Sequence, residues 1–197
     1  MKNLKFLNLA FLTIALAITA PLDVRGADGT QSSPEAALRA ALDGSAEWTM
    51  ERRLAGAASA LKSSGRVDCR AGESIVWKTL EPFETSVTMS TNSMIFVDED
   101  GRREKPLDEL PHYADIRKAT DAFVAGDRTA FDGVFSLAET SLPGGGWRLE
   151  FKPEISAMKH LFTAIELSGA ALPTNAVIHN ADGGRSVIRF RESPRDR

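Results

Sequence analysis

From residue 65 to residue 91 the sequence reads GRVDCRAGESIVWKTLEPFETSVTMST, three short runs with an apolar residue at every second position, punctuated by Gly72 and Pro82. A period of two sends alternate side chains to opposite sides of an extended chain, so these runs predict consecutive antiparallel strands joined by tight turns. Val67 and Cys69 share one face of the first run, Ile75 and Trp77 with Thr79 share one face of the second, and Val87 and Met89 follow in the third. Val76 and Leu80 project the other way, which makes the middle run apolar on both sides apart from Lys78.

The same period appears on either side. Trp48, Met50 and Leu54 alternate with Thr49, Glu51 and Arg53, and Arg52 is the exception, a cation on the side of Trp48 and Met50 that belongs at a rim or needs a partner. Met94 to Val97 form a further strand, and the Asp-Gly step in DEDGRRE is a hairpin turn. Toward the end, Trp147, Leu149 and Phe151 alternate with Arg148, Glu150 and Lys152, and Leu161 to Leu167, Ala176 to His179 and Val187 to Phe190 supply three more strands. Two stretches depart from this period. Ser33-Pro34-Glu35 is a helix start, with Ala37, Leu38, Ala41 and Leu42 on one face and Gly44 as the stop. Between Pro111 and Gly126, Tyr113, Ile116, Thr120, Phe123 and Val124 recur at three- and four-residue steps, a second amphipathic helix, and Asp127 caps a short third one through Phe131.

Roughly ten strands in meander order, with helices only at the start and in the middle, predict an α+β chain built on one large antiparallel sheet with its helices gathered on one face. A sheet of that many strands curls. Curled without closing, it is an incomplete, half-open β-barrel whose concave side needs a cover, and the amphipathic helices supply one. The wall of such a container is Trp48, Met50, Trp77, Val87, Met89, Phe96, Trp147, Leu149 and Phe151, and its covering side chains are Leu38, Leu42, Tyr113, Ile116 and Phe123. A lining of this kind suits an apolar ligand. A filled core built of the same side chains gives the same alternation, and periodicity does not separate full from hollow.

Residues 1–26 stand apart. Lys2 and Lys5 precede an apolar run from Phe6 to Ala20, and Val24-Arg25-Gly26 closes the stretch, which is the pattern of a secretory signal peptide cut after Gly26. A cut after Ala20 is disfavoured by Pro21. Residues 27–192 are then one domain and 193–197 a frayed basic tail. No cysteine follows the apolar run to take a lipid, and the lone Cys69 reads as a small buried hydrophobe, without a companion for a disulfide. A formal net charge of -3 without a basic patch argues against nucleic acid as a partner.

The segments WTMERRLAG, LKSSGRV, IVWKTLEPF, AGDRTAFDGVF and GGGWRLEFKP occur in that order. Taken together they resemble the periplasmic carriers of outer-membrane lipoproteins, in particular the divergent LolA-like branch, over about Glu35 to Arg191. That resemblance implies a half-open barrel with lid helices in the periplasm of a Gram-negative cell. Its partners would be an acylated lipoprotein or other lipid, an inner-membrane ABC release complex as donor and an outer-membrane acceptor. The expected form is a monomer. By local sequence Arg70 is the counterpart of the arginine that latches the lid in that family, but Asp68 and Arg66 are its neighbours where the family has apolar residues, and Arg52 is the second candidate. Trp48 and Met50 stand where the branch more often has Phe and Gln, leaving the cargo open between lipoproteins and another lipid or a polyene. The competing reading is an envelope-assembly subunit with a filled core.

No bond chemistry, cofactor or metal is expected. His112, His160 and His179 are scattered, and DEDG lacks the distal Glu of a calcium loop. PGGGW has no following helix to cradle a phosphate, and Ser136 and Ser141 lack a nucleophile-elbow context.

Overall fold

The computed structural model describes residues 33–192 apart from 42–43, 71–72, 91, 107–108, 110–128 and 130. The expected signal peptide (1–26), the tail (193–197), the middle amphipathic helix with Tyr113, Ile116 and Phe123, and the covering residue Leu42 lie outside the described residues.

Helix α1 (Pro34–Ala41) opens the described chain. Ser33 caps it as expected, its Oγ accepting the Ala36 N–H at 3.2 Å. The rest is dominated by eleven strands: β1 (Gly44–Arg53), β2 (Leu61–Arg70), β3 (Ser74–Glu81), β4 (Thr85–Ser90), β5 (Ser93–Asp98), β6 (Gly101–Pro106), β7 (Phe135–Leu142), β8 (Gly146–Pro153), β9 (Phe162–Gly169), β10 (Pro173–Asn180) and β11 (Arg185–Glu192). A one-turn helix, α2 (Ser156–Lys159), sits between β8 and β9.

All eleven strands join one antiparallel sheet in the order β6-β5-β4-β3-β2-β1-β11-β10-β9-β8-β7. This corrects the expected single meander. Two meanders, β1 to β6 and β7 to β11, are joined where the first strand pairs with the last, Trp48 opposite Phe190 and Met50 opposite Ile188. The sheet is open: β6 and β7, its two edges, are not paired with each other. The chain leaves one edge at Pro106 and returns at the other at Phe135.

Strand β7 was not expected from the two-residue period. Its run FSLAETSL buries Phe135 fully, leaves Leu137 and Leu142 half-buried and exposes the other five residues. An edge strand has one neighbour and little burial, so its sequence carries a weak alternation. The third helix expected from Asp127 through Phe131 lies mostly outside the described residues, and 131–134 form a turn with Gly133 at φ +77°.

The ring contacts establish the curl of the sheet. Strands β3 and β11 are three places apart, about 14 Å in a flat sheet, yet the rings of Trp77 and Phe190 meet edge to face with centroids 6.3 Å apart. Trp48 and Trp77, two places apart, stack at 4.8 Å. Gly65 makes that possible. It lies on β2 directly opposite Trp48, so the space a side chain would fill is taken by the indole. A Cβ there would stand 2.7 Å from Trp48 Cζ2 and 1.9 Å from the Lys78 carbonyl oxygen.

The edge strand β6 is exposed along its whole length and carries Arg102, Arg103, Glu104 and Lys105 before Pro106, the charged and proline-ended form that discourages pairing with another chain. Ser93 Oγ donates to Glu104 at 2.8 Å and Arg102 to the same carboxylate at 2.8 Å. Together they hold the Glu104 carboxyl below the usual carboxylate range. Arg103 pairs with Asp98 across the β5–β6 turn.

Gly65→Ala is expected to destabilise the chain by about 3 kcal/mol, the upper end of overpacking costs, because one of the groups met is backbone. Urea unfolding checks this, and the stacked-indole signal in the circular dichroism of the folded variant should weaken in parallel.

Candidate ligand-binding face

Register assigns each side chain to a face of the sheet. On the inner face, one row runs Phe96, Val87, Trp77, Val67, Ala46 across β5 to β1. A second runs Met94, Met89, Ile75, Cys69 across β5 to β2. In the other half, Met50, Ile188, Ala176, Leu167 and Leu149 line up across β1, β11, β10, β9 and β8. These residues belong to one continuous apolar cluster, with Phe96 packed against its border.

Of the nine expected wall residues, Trp48, Met50, Trp77, Val87, Met89, Trp147, Leu149 and Phe151 are buried and Phe96 is partly buried. Cys69 is buried among them. The sheet therefore brings all nine onto one side. Sequence reasoning did not single out Met94, Phe162, Ile165, Leu167, Ile178, Ile188 and Phe190, which share the cluster. The signal was present for Ile188 and Phe190, which alternate with Arg189 and Arg191 in VIRFRE. For Phe162 it was weaker, because the β9–β10 register slips between His179 and Asn180.

The aromatic rings form two groups within this face. Trp48, Trp77 and Phe190 make one. In the other, Phe131, Phe135, Phe151 and Phe162 meet at centroid separations between 5.4 and 6.3 Å. Adaptable and branched aliphatic side chains, Met50, Ile188, Leu167 and Leu149, lie between the groups. Trp147 is held at the end of the sheet by its Nε1–H, which donates to the Ala170 carbonyl at 2.6 Å.

Helix α1 contributes Ala37 and Leu38 to the same cluster and lies against β8 and β10, while Ala41 is also buried. Leu38 is thus placed over the inner face. The two arginines considered as latches stand on opposite sides. Arg70, at the end of β2, is exposed and on the outer side with Arg66 and Asp68, which form an ion pair at 2.8 Å. Arg52 lies on the inner side, opposite Leu61 on β2 and the buried Ser186 on β11. Its Nε is buried and has no hydrogen-bond partner among the described residues.

The outer face carries charged side chains among apolar ones such as Val76, Ile95, Val177 and Val187. Glu166 on β9 bridges His179 at 2.7 Å and Arg148 at 3.7 Å. His160 is exposed just after α2. The described residues include no group of three or more His, Cys, Asp or Glu side chains placed to hold a metal ion.

No protein-family model matches the sequence, and no curated protein matches it. Solved structures are similar to it. A LolA superfamily protein from Nitrosomonas europaea is 11% identical over 96% of this chain and 94% of that one, with a TM-score of 0.43. A domain named as an outer membrane lipoprotein-sorting protein, from Vibrio parahaemolyticus, is 12% identical over 78% of this chain and 87% of that one, with a TM-score of 0.39. MucB in its complex with MucA from Pseudomonas aeruginosa is 13% identical over 82% of this chain and 56% of that one, with a TM-score of 0.38. Likeness at this level carries no function across.

Proposed function

We propose that this chain is an exported, non-enzymatic lipid carrier that holds acyl chains against the inner face of its open sheet and hands them on between membranes. The observation that supports the reading is an apolar wall running from β5 through β11 to β8 on a sheet whose edges are not paired with each other. A closed barrel of this size would have no way in. An open one admits a chain between β6 and β7.

Magnitudes favour exchange of the cover for cargo. Displacing α1 from the wall re-exposes Leu38 and the alanines 37 and 41, about 4 kcal/mol at ordinary transfer values. One acyl chain of about sixteen carbons offers more than roughly 10 kcal/mol on burial. The guest therefore outweighs that part of the cover, and the difference sets a binding strength that still permits release. The cargo is an acylated lipoprotein or another lipid. The donor is an inner-membrane ABC release complex and the acceptor lies at the outer membrane, as the sequence resemblance implies.

The second reading, an assembly subunit with a permanently filled core, is favoured by the two groups of mutually packed rings. Mass spectrometry and lipid extraction of the protein purified from its host decide between them. Acylated protein or free lipid in stoichiometric amount supports the carrier, and identifies which cargo it takes. A lipid-free chain that also fails to take up a fluorescent fatty acid supports the subunit.

Two substitution outcomes follow. Phe123→Glu is expected to lower retention of a fluorescent fatty acid at least about fivefold, one unfavourable contact of roughly 1 kcal/mol, with the urea midpoint nearly unchanged; equal loss of both would count against the carrier. In a transfer assay between donor and acceptor membranes, Arg52→Leu is expected to change the release rate and Arg70→Leu to leave it unchanged, since only Arg52 stands on the inner side.

A further inference from the structure

The loop that joins β1 to β2 has an unusual composition for an exposed tip. Residues 54–61 read LAGAASAL, with no charged side chain. Leu54 is 39% exposed and Leu61 60% exposed, and Ala55, Gly56, Ala58 and Ser59 are exposed between them. The adjoining end of β3 and its turn into β4 add two more apolar groups, Leu80 at 53% and Phe83 at 76% exposure. Register puts both tips at the same end of the sheet: Ser64 is opposite Glu81, so the β2 residues before Ser64 run beside the turn that holds Phe83.

Three cations stand directly behind this apolar end. Arg53 on β1 is opposite Arg185 on β11. Like charges directly across a ladder repel, and neither guanidinium has an ion-pair or hydrogen-bond partner among the described residues. Lys62 flanks them on β2, opposite Glu51. The turn between β10 and β11 is packed into the same end: a Cβ on Gly184 would lie 2.8 Å from the Arg53 carbonyl oxygen, and one on Gly183 would touch Ala55. Among the described residues, four carboxylates share this end and keep their charge, three of them with a partner. Asp182 accepts the Gly184 N–H at 2.8 Å, Glu81 accepts the Ser64 hydroxyl at 3.2 Å and Glu51 faces Arg189 at 3.9 Å. Glu84 stands exposed beside Phe83.

We infer that this end of the sheet docks on a bilayer bearing anionic headgroups, with the 54–61 loop and Phe83 entering the interfacial layer and Arg53, Arg185 and Lys62 lying at headgroup level. A tip of small, uncharged side chains between two leucines offers no shaped anchor for a protein pocket, whereas a lipid surface requires only a shallow apolar front backed by cations. The arginine pair, repulsive in the free chain, gains its counter-charge from the headgroups. This inference does not depend on what the interior holds.

Co-sedimentation of the exported chain, freed of bound lipid by extraction, tests it with two vesicle populations. One is equal parts phosphatidylglycerol and phosphatidylcholine, the other phosphatidylcholine alone. Binding is expected to the first only, released by salt, and weakened roughly fivefold for each cation removed in Arg53→Ser with Arg185→Ser. Ala58→Asp with Leu61→Asp should abolish it while the Trp48–Trp77 signal is kept. Equal binding to both vesicles, binding insensitive to salt, or binding unchanged by both variants would overturn the inference. So would preference for soluble poly-glutamate over the anionic vesicles, which would make this end a docking surface for an acidic protein. Failure here leaves the carrier reading untouched, since that one is scored by cargo recovery.

Discussion

The stacking of Trp48 on Trp77 across the missing side chain of Gly65 sets the curvature on which the rest of this fold depends. Two indoles bury several hundred square ångströms between them, about 4 kcal/mol or more apiece. They can do so only if strands two places apart tilt toward each other. Once tilted, the β3 to β11 span closes on Phe190 as well, and the wall becomes concave. A side chain at position 65 would hold the rings apart and remove the driving force for the bend.

Curvature without closure leaves two edges, and they are handled differently. Strand β6 carries three cations and one carboxylate, that of Glu104, which is tied down by Ser93 and Arg102. Its inner positions, Arg103 and Lys105, end the rows begun by Phe96 and Met94 with cations. Strand β7 has a single charged residue, Glu139, and keeps its apolar end, Phe135, in the core. The apolar wall is thus bounded by polar groups where it approaches the opening, the arrangement expected of a site with a greasy interior and a wet rim.

Much of this was legible in the sequence, because a half-buried strand writes its face into every second residue. Trp48 with Met50, Trp77 with Ile75 and Trp147 with Leu149 and Phe151 all fall on the side their period assigns. The N-terminal helix was marked by Ser33 and Pro34, whose roles are local. Three features were less legible, each for a physical reason. Strand β7 is an edge, so only Phe135 had to be apolar throughout. The pairing of β1 with β11 is a contact between residues almost the whole described chain apart, and nothing local encodes it. Position 65 was part of a recognisable motif, but its role requires knowing that Trp48 comes to rest above it.

That same β1–β11 seam has a bearing on how such a chain is made. The strand that joins the two meanders, β11, is the last of the eleven in chain order. Until it emerges, each half has only its own short-range hairpins, and contacts spanning so much sequence form late and slowly. Each meander can therefore form its own hairpins while the seam between them waits for β11.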